Sequence, residues 1–176
     1  MEGYDNWYLK ARRRMHSDDL GEVIDGLWVF EPKMGRFRST SPLDEEEASI
    51  IPDIQALLDD HRICCLTPVV TGMQVRRYGE VRWYAATVLA ELYSRNHSTE
   101  PLILRNVAQP FEGVQAVQIA EQNGIDVSKT DRNLGLYEML RQKDLLPTIP
   151  EINLGGDGLL GLLFITGWID HFEGKA

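Results

Sequence analysis

The residues able to do chemistry are few and scattered. Two acid–histidine runs, Asp59-Asp60-His61 and Asp170-His171, have the types needed for general acid–base work. Neighbouring residues point in different directions, so either run needs a third group from elsewhere in the fold. A helix-end dipole accounts for His61 equally well. The stretch Gly156-Asp157-Gly158-Leu159-Leu160-Gly161 matches G-x-G-x-x-G in form. A dinucleotide turn, however, lies between a strand and a helix of a βαβ unit. Here Asp157 would also aim negative charge at a pyrophosphate, so a flexible turn is expected.

The only cysteines, Cys64 and Cys65, are adjacent, and His16, His61, His97 and His171 are dispersed. Neighbouring cysteines cannot staple a loop, and the set lacks zinc-ligand spacing. The run Ile63-Cys64-Cys65-Leu66 reads as buried, which leaves the thiols inert. Walker A, G-x-S-x-G and H-E-x-x-H sequences are absent. No catalytic residue, metal or cofactor is therefore assigned, and the reading leans away from an enzyme.

The other chemical feature is charge. The chain of 176 residues has 27 acidic and 18 basic side chains, a net charge of -9. Residues 42–60 hold seven acids and no base: Asp44, Glu45, Glu46, Glu47, Asp53, Asp59 and Asp60. Ser41 is the expected N-cap, with Pro42 at the first helical position and Asp44 three residues after the cap. Ile50, Ile51, Ile54, Leu57 and Leu58 fall on one helical stripe, and Pro52 predicts a kink or two short helices. The dipole favours acids only in the first turn. Asp44, Glu45, Glu46, Glu47, Asp53 and Asp60 are thus either a solvated face or a docking surface for a basic partner.

The elements that must position these residues follow from periodicity. Asp5 caps a first helix bearing Trp7, Tyr8, Ala11 and Met15, with Arg12-Arg13-Arg14 on its far side. Val23–Glu31 is rich in β-formers and is expected to pair with residues 36–39 as a hairpin. Residues 63–70 and 102–107 are further strand candidates, Pro68 making the first an edge or bend.

The clearest helix runs from Gly79 to about Arg95, with Val81, Tyr84, Ala85, Val88, Leu89 and Leu92 inside. Arg82, Glu91 and Arg95 are expected to face out, the last two as an i, i+4 pair. Trp83 lies off the stripe, either filling a groove or anchoring a partner. A helix over 110–123 ends with Gly124 at C′ and Ile125 at C″. Thr130 caps a helix to about Lys143, and Asp157 caps an apolar last helix expected at the centre of the core.

At 43% hydrophobic and 26% charged, the composition suits one globular domain over residues 1–176 and excludes a disulfide scaffold. The expected class is α+β, helix-dominated, with an N-terminal β-hairpin and short strands, and a small α/β sheet as the competitor. No apolar leader is visible near Met1 and no uncharged run reaches the roughly 20 residues of a membrane span, so a cytoplasmic protein is expected. The acidic balance argues against nucleic acid, because Arg12–Arg14 have no wider basic field around them.

Gly79–Leu92, GEVRWYAATVLAEL, resembles one helix of a HEAT-like pair, in which an acid-Val-Arg start leads into an Ala-rich packing helix. Small acidic proteins with such helices are similar to the immunity proteins of bacterial polymorphic toxin systems. No second copy of the pattern is present, and a solenoid needs at least about three repeats. The resemblance implies a non-enzymatic binding module and names no functional residue. Joined to the charge concentration, the expectation is that the acidic helix face docks and neutralises a basic toxin domain. The alternative is a small enzyme or ligand-binding domain whose acid/His site is assembled only in three dimensions, around His61 or His171. Oligomeric state stays open.

Overall fold

The computed structural model describes residues 5–29, 42–66, 77–96, 100–108, 111–129 and 134–153. Six helices and five short strands run in the order α1 (Asp5–Met15), α2 (Leu20–Trp28), α3 (Glu45–Gln55), β1 (Ile63–Leu66), β2 (Arg77–Glu80), α4 (Val81–Arg95), β3 (Ile103–Ala108), β4 (Phe111–Glu112), α5 (Gly113–Gln122), α6 (Leu134–Gln142) and β5 (Thr148–Asn153). The chain is helix-dominated α+β. Strands β1, β2 and β4 form one antiparallel sheet, and β3 and β5 another. No parallel pair occurs among the described residues, which removes the α/β alternative there.

Helix α4 occupies the centre. Every described side chain from Val81 to Arg95 is buried, including Arg82, Glu91 and Arg95, which the stripe pattern had placed outside. The amphipathic reading fails because α4 is covered all round: α2, α3, β1, β2 and β3 all pack against it. Long polar side chains survive there only by finding partners.

Val23–Trp28 belongs to α2 and not to a hairpin strand. Asp19 accepts a hydrogen bond from the Glu22 N–H and starts the helix, and buried Val23 and Leu27 then recur at helical spacing. A Cβ on Gly26 would lie 2.9 Å from the Ala11 carbonyl oxygen and from Met15 Cγ. This glycine lets α2 press against α1, and tertiary packing overrides the β preference of Val and Ile.

Strand β1 divides the core. Alternate strand residues face opposite ways, and Ile63 joins a cluster with Tyr78, Leu136, Tyr137 and Leu140 while Cys64 joins the larger cluster around α4. Val107 and Ala108 of β3 are split between the same two clusters. Polar residues at the ends of these strands therefore meet where the clusters abut.

Helix α3 starts at Asp44, not at Ser41. Asp44 caps it in a reciprocal capping box with Glu47, and Pro42 stands ahead of the helix. Past Pro52 the helix tightens into a 3₁₀ turn over Ala56–Asp59, the two-part form that the proline predicts. Residues 36–39, 67–70, Thr130, the glycine-rich run 155–161 with the last helix, His97 and His171 lie outside the described residues.

Candidate functional site

Strand β2 runs directly into α4, and the first turn of α4 is completed by a distant segment. The Val81 and Arg82 N–H groups donate to the Arg62 and Asp60 carbonyls, each at 2.9 Å. These donors have no partner within the helix itself. Residues 60–62 are thereby held across from Glu80–Arg82. Ile63 pairs with Glu80 in the sheet, and cross-strand pairs share a face. Period-2 alternation then brings His61 to the Glu80 side.

Glu80 is buried, at 3% exposure, with both oxygens engaged. Its Oε2 accepts from Arg82 Nη2 at 3.1 Å and from the Ala108 N–H at 2.9 Å. Its Oε1 lies 3.2 Å from His61 Nδ1. A carboxylate only accepts, so Nδ1 is the donor in this contact, and in a neutral ring Nε2 is then the acceptor. The imidazole is 56% exposed, so one edge is fixed by a buried acid while the other is accessible.

Arg82 is held in turn by backbone. Its Nη1 donates to the Arg105 carbonyl at 2.9 Å and its Nη2 to the Asn106 carbonyl at 2.8 Å. Consecutive carbonyls of an extended strand point to opposite sides. Asn106 has φ +51, a left-handed conformation that turns both toward one guanidinium.

His61, Glu80, Asn106, Ala108, Leu146 and Thr148 line a cleft of about 160 Å³, together with Arg141 and Asp144 of the α6 end. Arg141 Nη1 donates to the His61 carbonyl and ties α6 to the segment 60–62. Beneath lies Tyr137, whose phenol is pushed up by burial and further by the charge of Glu80, so it stays protonated at neutral pH. Asn106 and Asp144 are the two non-glycine residues with positive φ among those described. Both line this cleft. Strained backbone of this kind persists where surroundings over-determine it, and functional sites are a common setting. No group of three or more metal-ligating side chains converges among the described residues.

The acidic segment is dispersed by the fold. Asp44 is spent as a cap. Glu47 is buried and forms a two-point pair with Arg95, at 3.1 and 2.9 Å. Asp53 is bridged by Arg12 Nε at 2.9 Å and His16 Nε2 at 2.6 Å, so Arg12 is no solvated bystander on α1. Asp60 turns to Arg62. Burial alone would raise the Asp60 carboxyl, but side-chain and backbone hydrogen bonds from Arg62 outweigh it and hold the pKa below its ordinary value. The compensating bases come from other parts of the chain. Glu45, Glu46 and Asp59 remain exposed. Trp83 is 0% exposed and fills the core around α4, so it offers no surface to a partner.

His61 does acquire the third group that its acid–histidine run required. That group is Glu80, 19 positions away, and not adjacent Asp59 or Asp60. Sequence reasoning missed Glu80, Arg82, Asn106, Arg141 and Asp144. One signal was present: Glu80-x-Arg82 has strand spacing, which puts both side chains on one face if β2 continues to the helix. The chain matches no family model, no curated protein and no solved structure.

Proposed function

We propose that the cleft beside His61 binds a small polar molecule, with His61 Nε2 as the group that accepts a proton or hydrogen bond from it. One observation carries this reading: a buried carboxylate, held by its own guanidinium, fixes the histidine tautomer at the edge of a cleft. An orienting acid behind an accessible imidazole is how proteins prepare a histidine for proton exchange. The size and mixed polarity of the cleft suit a small molecule better than a macromolecule.

The test is long-range ¹H–¹⁵N NMR on the full chain, first alone and then against a library of small polar compounds. A protonated Nδ1 and saturable shifts of the His61 ring support the reading, with His61→Ala removing both. An Nε2-protonated ring, or a ring that no compound perturbs, overturns it.

A second reading keeps the basic protein partner, and the exposure of Glu45 and Glu46 in the first turn of α3 favours it. Of the residues assigned to that docking surface, Asp44 is a helix cap, Glu47, Asp53 and Asp60 have internal partners, and Trp83 is core. This leaves Glu45 and Glu46, together with exposed Asp59 of the same segment. Steered association slows steeply with salt. Reversing Glu45, Glu46 and Asp59 to lysine should abolish capture of a basic partner while lowering Tm only slightly, through the dipole of the α3 start. Unchanged capture would remove this surface from consideration.

A further inference from the structure

We propose that the occupant of the cleft is a small carboxylate that also carries a hydrogen-bond donor, an amino or hydroxy acid, held between Arg141 and Asp144. This inference rests on the cleft being a ligand site and adds the chemical class of the ligand.

Size comes first. A volume of about 160 Å³ is comparable to a cavity of roughly 150 Å³ that holds benzene, so the occupant has about six to ten heavy atoms. Charge comes next. Glu80 is buried and largely spent, since Arg82, the Ala108 N–H and His61 take three of its roughly four acceptor sites. Arg141 is half-buried, and one of its five N–H donors goes to the His61 carbonyl. Its planar fork suits a carboxylate, which can take two parallel hydrogen bonds from it.

Asp144 supplies the opposite charge, and its position is unusual. Helices α5 and α6 end in the same way. After α5 the Ile125 N–H donates to the Ala120 carbonyl, and after α6 the Leu145 N–H donates to the Leu140 carbonyl, each at 2.9 Å. Both ends require a left-handed residue at C′. The α5 end uses Gly124, at φ +69, with open space where a Cβ would sit. The α6 end uses Asp144, at φ +58. A carboxylate thus stands at a backbone position that favours glycine, on the rim of the cleft. Among the described residues it makes no hydrogen bond or ion pair. Arg141 and Asp144 present a cation and an anion three residues apart, complementary to a molecule with a carboxylate at one end and an ammonium or hydroxyl group beside it. His61 Nε2 faces the same molecule as proton acceptor.

The test is calorimetric and NMR titration of the full chain with L-serine and lactate, beside propionate, ethanolamine and inorganic phosphate. Serine or lactate should give saturable shifts at His61, with propionate and ethanolamine about tenfold or more weaker, the loss of one charge-assisted hydrogen bond. Asp144→Gly should raise Tm and yet weaken binding, two opposite changes that damage to the fold cannot produce together. Arg141→Lys, which keeps the charge and loses the fork, should weaken binding at unchanged Tm. Propionate or phosphate binding as tightly as serine and lactate overturns the proposal, as does unchanged affinity in Asp144→Gly. If a neutral library compound shifts His61 and no acid does, the ligand class is wrong and the site stands. If nothing shifts His61, both fall.

Discussion

Two buried carboxylate–guanidinium pairs among the described residues use the same chemistry to different ends. Glu47 and Arg95 join α3 to α4 across 48 positions, both carboxylate oxygens meeting both terminal nitrogens. Both side chains are buried, and the pair acts as a staple. Glu80 and Arg82 are two positions apart and share a single hydrogen bond. Their remaining capacity goes outward: Arg82 to two carbonyls of β3, Glu80 to the Ala108 N–H and to His61. The first pair, matched oxygen to nitrogen at two points, holds two elements together, with Glu47 Oε2 also taking the Asp44 N–H of the helix cap. A pair left unsaturated on one side can orient a third group, and here that group is an accessible histidine.

The sharpest way to break the comparison is to remove one partner of the staple. Glu47→Ala takes both of its hydrogen bonds from the buried Arg95 guanidinium and should cost about 3–5 kcal/mol, read as a lowered urea midpoint. Changing both residues to methionine should recover most of that loss, since apolar replacement of a buried pair is often neutral. Neither variant should alter the tautomer of His61.

Glu80→Gln probes the other pair. It keeps the shape and removes the charge that Arg82 and His61 both meet, at an expected cost of about 2–3 kcal/mol. Unlike the staple variants, it should release the His61 ring to a tautomer mixture visible in ¹⁵N shifts. If Glu47→Ala moves those shifts as much as Glu80→Gln does, the two pairs are not functionally distinct.

Smaller effects sharpen the picture at the cleft rim. Asp144→Gly should stabilise by about 0.5–1 kcal/mol by relieving a left-handed non-glycine residue, partly offset by the freer unfolded chain. Gly124→Ala should destabilise by a similar amount, because there the motif already has its preferred residue. Opposite signs in thermal melts would show that only the α6 end carries a side chain at an energetic cost.

The smallest effect belongs to Asp60 and Arg62, a pair whose arginine is open to solvent and whose aspartate is half-buried. The Asp60 pKa is lowered in the folded state, so its contribution is present above the unfolded value near about 3.9 and is lost as pH falls through the lower folded value. Solvent screening limits it to less than about 1 kcal/mol. Asp60→Asn should lower neutral-pH stability by up to that amount, leave stability in strong acid unchanged, and so flatten the acid limb below about pH 4.

How legible the molecule was depends on the range of each interaction. The Gly124–Ile125 helix end, the stripe of Ile50, Ile54 and Leu57, and the break after Pro52 were all readable, because neighbours along the chain determine them. The end of α6 obeys the same geometry as that of α5 and was missed, because aspartate does not announce a left-handed residue as glycine does. The acidic segment misled for a different reason. Its charges were counted within the segment, whereas Arg12, Arg62 and Arg95 from outside it compensate them in the fold.

By itself, then, the sequence determined the helical majority, the apolar stripes and the absence of known catalytic signatures. These follow from local backbone preference and from the periodicity of burial. Only the tertiary structure decided that Trp83 is core, that Glu47 is a staple, and that His61 belongs with Glu80 and Arg141 and not with its adjacent acids. His61 and Arg141 lie 80 positions apart. No local pattern encodes such a meeting, because it depends on two sheets and a central helix closing around the same point.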